Sequence, residues 1–220
     1  MGLEAPPQLW LRPLQGVDAV GLSARELAWG RELDPPIRQR YWQSRAALRH
    51  WVAGCLGCRV EEVPLHSPPG RPPRLEAGAG HVSLSHSGPM LLVAWSTRPV
   101  GVDLERADRP LAAAAIARRY FPPAEWAELQ AMPPEALHQA VLRSWVLKEA
   151  AIKWRQRTLA EELRAWRYCH RSGRLRHGTE GLTPASQAAE SRGWHWAVVG
   201  NGAPDARFMV LAVDSEQTQP

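Results

Sequence analysis

No stretch of these 220 residues approaches the roughly 20 consecutive apolar positions that a membrane-crossing helix needs, although 45% of the chain is hydrophobic. Mean hydropathy is −0.35. The expectation is a soluble chain that does not engage a membrane. The opening residues, Met1 to Trp10, have neither the basic head nor the apolar centre of a secretory leader. The cytoplasm is therefore the expected compartment, with the thiols reduced. Cysteine is scarce as well. Cys55 and Cys58 have zinc or redox spacing, but a closed zinc site takes four ligands and Cys169 is the only other thiol. No tandem repeat is visible. Acidic residues are outnumbered 22 to 27 by Lys and Arg, giving a net charge of +5. That balance points to an acidic partner: nucleic acid, an anionic membrane surface, a phosphorylated small molecule or an acidic protein.

What the chain does have is tryptophan, eleven in all. Stacking on bases is one use for them, but Trp42, Trp51 and Trp145 lie on segments with apolar periodicity, where core packing explains them more simply. Ser23 with Glu26 three residues on predicts a helix start of the capping-box kind. A second helix is predicted from about Ile37 to Val52, begun by Asp34-Pro35-Pro36 and ended before Gly54. On it Arg38, Trp42, Arg45 and Arg49 share one face, either a solvated surface or an anion-binding wall. Pro68-Pro69-Gly70-Arg71-Pro72-Pro73 excludes regular structure and predicts a rigid loop carrying one cation, Arg71.

His81 to His86 alternates as a strand, with Val82 and Leu84 on one face and Ser83 and Ser85 on the other. Ser87-Gly88-Pro89 turns it and Met90 to Trp95 returns, so Ser85 and His86 come near the hairpin tip, where small donors and an imidazole suit phosphate oxygens. Val100 to Glu105 alternates again. Asp103 and Glu105 project from the face opposite Val100, Val102 and Leu104, with Gly101 leaving room beside them. Two carboxylates at i, i+2 suit a shared Mg²⁺; the alternative is an edge strand with a solvated acidic face. Helices are predicted over residues 111–120 and 124–131, and strands over residues 164–170, 194–199 and 207–213, the three forming an antiparallel sheet. The polar stretch 178–193 is expected to be mobile.

A long helix starts at Pro133-Pro134 and runs through Trp145 to Trp154. At about 100° per residue, Val141, Ile152, Trp145, Glu149, Leu142 and Lys153 fall within one arc of about a third of a turn. A carboxylate and an ammonium thus sit in an apolar stripe. Either they pair with each other at i, i+4, or something buried compensates them.

Gly101-Val102-Asp103-Leu104-Glu105, Trp145-Val146-Leu147-Lys148-Glu149-Ala150 with Lys153, Gly70-Arg71-Pro72 and Ser85-His86-Ser87 together resemble the 4'-phosphopantetheinyl transferases of the surfactin-synthetase-activating type. The order and spacing agree from about Arg38 to Trp166, and Phe121 to Glu125 also fits, with Glu125 structural. The resemblance implies an α+β fold of two similar α+β halves in pseudo-twofold arrangement, residues 1–97 and residues 98–220, acting as a monomer. It implies transfer of the phosphopantetheine arm of coenzyme A to a serine of an apo acyl or peptidyl carrier protein, with Mg²⁺ held by Asp103, Glu105 and Glu149. The carriers would be those of fatty acid, polyketide or nonribosomal peptide synthases. Glu149, or a water it positions, would be the base, and Lys153 would neutralise the pyrophosphate. Arg38, Arg45, Arg71, Ser85 and His86 would hold the phosphates of coenzyme A. Three features depart from the family's habit: Arg71 stands for a lysine, Ser83 for an asparagine, and Trp154-Arg155-Gln156-Arg157 lacks the glycine that commonly follows the helix.

Two other functions fit parts of the pattern. A metal-dependent nuclease would use acidic ligands and a lysine, but commonly takes Glu-x-Lys from one strand, whereas Glu149 and Lys153 have helical spacing. A nucleic-acid-binding protein without catalysis would have no need of the Asp103 and Glu105 pair.

Overall fold

A computed structural model describes residues 5–208. Two long helices each cover one face of a mainly antiparallel sheet, and the opposite faces of the two sheets pack on each other. The first sheet contains β1 (Gln8–Pro13), β4 (His81–Ser87) and β5 (Met90–Ser96), joined at its far edge by β11 (Arg207–Phe208). Its strand order is β11-β1-β5-β4, with β11 parallel to β1. The second contains β6 (Val100–Arg106), β9 (Ser186–Ser191) and β10 (Trp194–Gly200) in the order β6-β10-β9.

Between β1 and β4 the chain forms α1 (Ala24–Arg31), α2 (Pro35–Leu56) and a two-stranded ribbon, β2 (Leu65–His66) with β3 (Arg74–Leu75). Ser23 caps α1 in a full capping box with Glu26, as the sequence predicts. Helix α2 outruns its predicted end: Gly54 lies inside it, and the stop comes at Gly57, whose left-handed φ of 66° suits a residue without Cβ. Leu48 and Val52 of α2 pack with Trp10, Leu91 and Val93 of the sheet. The other face of that sheet, through Leu9, Leu92 and Ala94, meets Val100, Val102, Leu104, Trp196 and Val198 of the second sheet. At about 25 cal/mol per Å² of apolar surface removed from water, these shared layers are the main force joining the chain's two ends.

After β6 come α3 (Ala113–Tyr120), α4 (Pro123–Leu129), α5 (Pro134–Trp154), α6 (Leu159–Glu162) and a second ribbon, β7 (Trp166–Cys169) with β8 (Arg174–His177). Helix α5 lies on the β6 and β10 face that Gly101 and Ala197 line, and packs through Val146, Leu147, Ala150 and Ile152 against Trp166, Leu175 and Val199. Gly101 makes this possible. A β-carbon there would meet the Ala150 carbonyl oxygen at 2.0 Å and the Trp154 nitrogen at 2.4 Å, so the space beside the carboxylates is filled by the backbone of α5.

The C-terminal strands pair differently from the expectation. Residues 166–169 leave the main sheet to pair with β8, and part of the stretch expected to be mobile forms β9, hydrogen-bonded to β10. Ser186 to Ser191 carries no β-branched side chain and, among the described residues, pairs on one edge only, so alternation had little to mark. The strand predicted over residues 207–213 is present at Arg207–Phe208, and its remaining residues lie outside those described. Among the described residues no helix is long and apolar enough to cross a membrane.

Candidate active site

The edges of the two sheets meet where β4 runs beside β6, and three serine hydroxyls span the gap. Ser83 Oγ accepts from the Val102 amide at 3.1 Å. Ser85 Oγ donates to Asp103 at 2.7 Å, and Ser87 Oγ to Glu105 at 2.8 Å. Alternation on β4 aims all three at β6, and alternation on β6 aims both carboxylates at the helix beyond it. Of these serines, only Ser85 stands out in the sequence as a site residue. The period-two run Ser83, Ser85, Ser87 facing Asp103 and Glu105 is the signal that would have revealed the other two.

Helix α5 supplies the rest. Lys153 Nζ donates to Asp103 Oδ1 at 2.6 Å and to Ser85 Oγ at 3.1 Å, and lies 3.6 Å from Glu149 Oε2. Both sequence alternatives for Glu149 and Lys153 are therefore realised at once, with Asp103 the closer partner. Burial, then the charges of Asp103 and Glu105, raise the Glu149 carboxyl to about 7, although Lys153 opposes them. Burial also raises Glu105, against the Ser87 hydrogen bond. For Lys153 burial acts to lower the pKa, but Asp103 and Glu149 outweigh it and hold the ammonium above its ordinary value. Asp103 Oδ2 is buried and has no hydrogen-bond partner among the described residues. Three carboxylates offering hard oxygens, one of them orphaned, make a donor set that suits a hard divalent cation.

The oxygens of Asp103, Glu105 and Glu149 do not all close on one another. Among the described residues the group whose ligand atoms all lie within 4.8 Å is Glu162, His177 and Glu180. There a guanidinium already supplies the positive charge: Arg155 reaches Glu162 at 3.1 Å and Glu180 at 2.7 Å.

Lys153 also lines a cleft of about 430 Å³, with Arg45, Arg71, Arg155 and Arg157 along its walls. A neighbouring cavity of about 290 Å³ shares Pro73, His81, Val82 and Gln156 with it. Arg71 projects from the proline-rich loop, exposed and without a side-chain partner among the described residues. Arg45 is buried. It donates to Ser67 O at 3.3 Å and stacks on Tyr41, whose hydroxyl donates to the same carbonyl, so it braces the loop as well as lining the cleft. His86 continues the face of Val82 and Leu84 rather than that of Ser85; burial first, then the charge of Arg40, lowers its pKa.

Arg38 corrects the expectation. Its guanidinium donates to the carbonyls of Gly30, Arg31 and Leu33, tying α2 to the end of α1, so it serves the fold and not the cleft. Arg49, on the same predicted face, is buried in an ion pair with Glu26 at 2.6 Å. A solvated face and an anion wall both give way, at these two positions, to internal cross-braces. The Cys55 thiol is pushed up to about 11 by burial, which removes the thiolate that redox chemistry requires.

The chain contains two lysines, both on α5. Besides Lys153 there is Lys148, fully buried, with its Nζ 2.7 Å from Glu125 Oε2 and 3.5 Å from the centre of the Phe121 ring. Glu125 also accepts from the Tyr168 amide at 3.1 Å, which fastens α4 and β7 to α5. This bears out the structural reading of Glu125, while the burial of Lys148 escaped the sequence argument although, seven residues after Val141, it falls within about 20° of that residue on the helix.

Residues 99–202, which hold both metal-binding candidates of β6 and the whole of α5, match the family described as the 4'-phosphopantetheinyl transferase superfamily. The slr0495 product of Synechocystis is 31% identical over 157 residues, 67% of this chain and 63% of the relative. The 4'-phosphopantetheinyl transferase HetI of Nostoc is 32% identical over 157 residues, 66% of each chain. The 4'-phosphopantetheinyl transferase Sfp of Bacillus subtilis is 32% identical over 73 residues, 33% of this chain and 32% of the relative. The chain thus spans a little under two thirds of the first two relatives. With the α+β architecture and the carboxylate and lysine cluster on β6 and α5, these matches place residues 99–202 in the 4'-phosphopantetheinyl transferase superfamily.

Proposed function

We propose that this protein transfers the 4'-phosphopantetheine arm of coenzyme A to a serine of an apo carrier protein, releasing adenosine 3',5'-bisphosphate. The observation that carries the proposal is Lys153, which belongs both to the carboxylate cluster and to the cationic cleft. A pyrophosphate bound in that cleft lies beside the groups needed to break it. Arg45 and Arg71 are the cations for the phosphates of coenzyme A, with Ser85 and His86 on the adjoining strand.

Asp103, Glu105 and Glu149 would hold Mg²⁺, which supplies charge neutralisation at the pyrophosphate. Glu149 accepts the proton of the incoming serine hydroxyl, directly or through one water, as the serine oxygen bonds to the phosphorus of the pantetheine phosphate. The bond from that phosphorus to the bridging oxygen breaks, and the electron pair leaves with adenosine bisphosphate. Lys153 stabilises the charge that gathers on the leaving group. Asp103 in turn holds Lys153 in its protonated, extended position.

On this reading the two halves, residues 1–97 and residues 98–220, bind coenzyme A between them in a cytoplasmic monomer. The excess of basic residues suits the acidic carriers of fatty acid, polyketide or peptide synthesis. The experiment is incubation with coenzyme A, Mg²⁺ and a panel of apo carrier proteins, read by intact mass. A gain of one phosphopantetheine on the carrier serine is expected. No gain on any carrier, with coenzyme A consumed or not, overturns the proposal.

A further inference from the structure

Glu105 has both oxygens engaged. Oε2 accepts from Ser87, and Oε1 is ion-paired with the Arg109 guanidinium, which stacks over the Trp145 ring with its Cζ 5.9 Å from the centre. The segment that carries Arg109 is fastened by three hydrogen bonds. His138 Nε2 donates to the Arg109 carbonyl at 2.9 Å, and Gln139 Nε2 to the Ala107 carbonyl at 3.3 Å, both from α5. The Ala107 amide donates to Gly193 O at 2.9 Å, in the turn between β9 and β10. The pairing is therefore built into the loop and does not depend on a wandering surface arginine.

We propose that Arg109 is the resident counter-charge of Glu105, and that a divalent cation entering the carboxylate cluster must compete with it. The inference rests on the metal reading of Asp103, Glu105 and Glu149. Without a metal, three carboxylates share two side-chain cations among the described residues, Lys153 and Arg109. Lys153 is held on Asp103 and Glu149 from inside the helix. Arg109 sits at the rim, with 41% of its side chain exposed, and can leave Glu105 for solvent while its backbone stays fastened. A metal at the cluster and a guanidinium on the same carboxylate repel each other at short range, so each weakens the other's hold on Glu105. Arg109 thereby sets the metal affinity of the site and offsets part of its negative charge when empty.

The test measures Mn²⁺ binding to the full chain by electron paramagnetic resonance of the free ion, with coenzyme A present and carrier protein absent, so that no transfer occurs. R109Q is expected to bind Mn²⁺ about tenfold more tightly than wild type, and R109K close to wild type, because the charge and not the shape is what competes. In an E105Q background R109Q should leave Mn²⁺ affinity unchanged, since the shared carboxylate is gone. Unchanged or weaker Mn²⁺ binding by R109Q overturns the role of Arg109. If neither wild type nor R109Q binds Mn²⁺ saturably, while carrier modification still proceeds with the metal chelated, the metal reading itself fails.

Discussion

The α-carbon of Gly101 faces the Ala150 carbonyl so closely that a β-carbon added to it would stand 2.0 Å from that oxygen. Because the obstacle is helix backbone, no rotamer change relieves it. Gly101→Ala should force α5 away from β6 and destabilise the protein by about 3 kcal/mol or more, at the upper end of overpacking costs. Denaturant unfolding checks this. A loss below about 1 kcal/mol would mean that helix and strand separate easily, and that the positions of Glu149 and Lys153 over Asp103 are not fixed by this contact.

Lys148 and Glu125 make the opposite kind of test. Removing one partner of a fully buried pair strands the other charge, so Lys148→Met should cost about 3–5 kcal/mol. The double variant Lys148→Met, Glu125→Leu should recover most of that loss in equilibrium unfolding. Failure of the double variant to recover would show that the Glu125 bond to the Tyr168 amide, not the ion pair, is what holds α4 and β7 in place.

Glu149 gives a pH dependence whose sign is fixed. Its carboxyl is raised in the folded protein to about 7, above its ordinary value of 4.5, so between those values the folded state binds a proton that the unfolded state has released. In metal-free protein its contribution to stability is therefore greatest at low pH and is lost as pH rises from about 4.5 through 7. Thermal unfolding in chelator at pH 5 and pH 7.5 should show a larger drop for wild type than for Glu149→Gln. Equal drops would remove the case for a proton-accepting Glu149 tuned near neutrality.

For Lys153→Ala the proposed transfer should slow by about a hundredfold in kcat, with a smaller change in KM for coenzyme A, since the charge matters most as the leaving group departs. Steady-state rates against coenzyme A, at saturating carrier and Mg²⁺, separate the two. A change confined to KM would make Lys153 a binding residue only.

The two carboxylates of β6, the hairpin with Ser85, and the helix with Glu149 and Lys153 were legible because alternation and helical period report directly which side chains share a face. What the sequence hid is contact between distant faces. Arg38 and Arg49 look alike on α2, yet one caps a neighbouring helix and the other pairs with Glu26, and only the packed fold distinguishes them. Ser83 and Ser87 became recognisable as site residues once β4 lay against β6, and Arg109 once its loop was fastened to α5. Strand β9 was missed for a local reason: small and polar side chains on an edge leave no hydrophobic period to detect.

The scarcity of lysine has a practical corollary. With Lys148 sealed inside the protein and Lys153 about a third exposed, the folded chain offers amine-directed reagents a single side-chain target, and that target stands in the cleft. Because Asp103 and Glu149 hold its ammonium protonated, Lys153 should react with aldehydes and activated esters more slowly than a free lysine or an α-amine. A ligand that fills the cleft would slow that reaction further, so acylation assigned to Lys153 by peptide mapping reports whether the pocket is occupied.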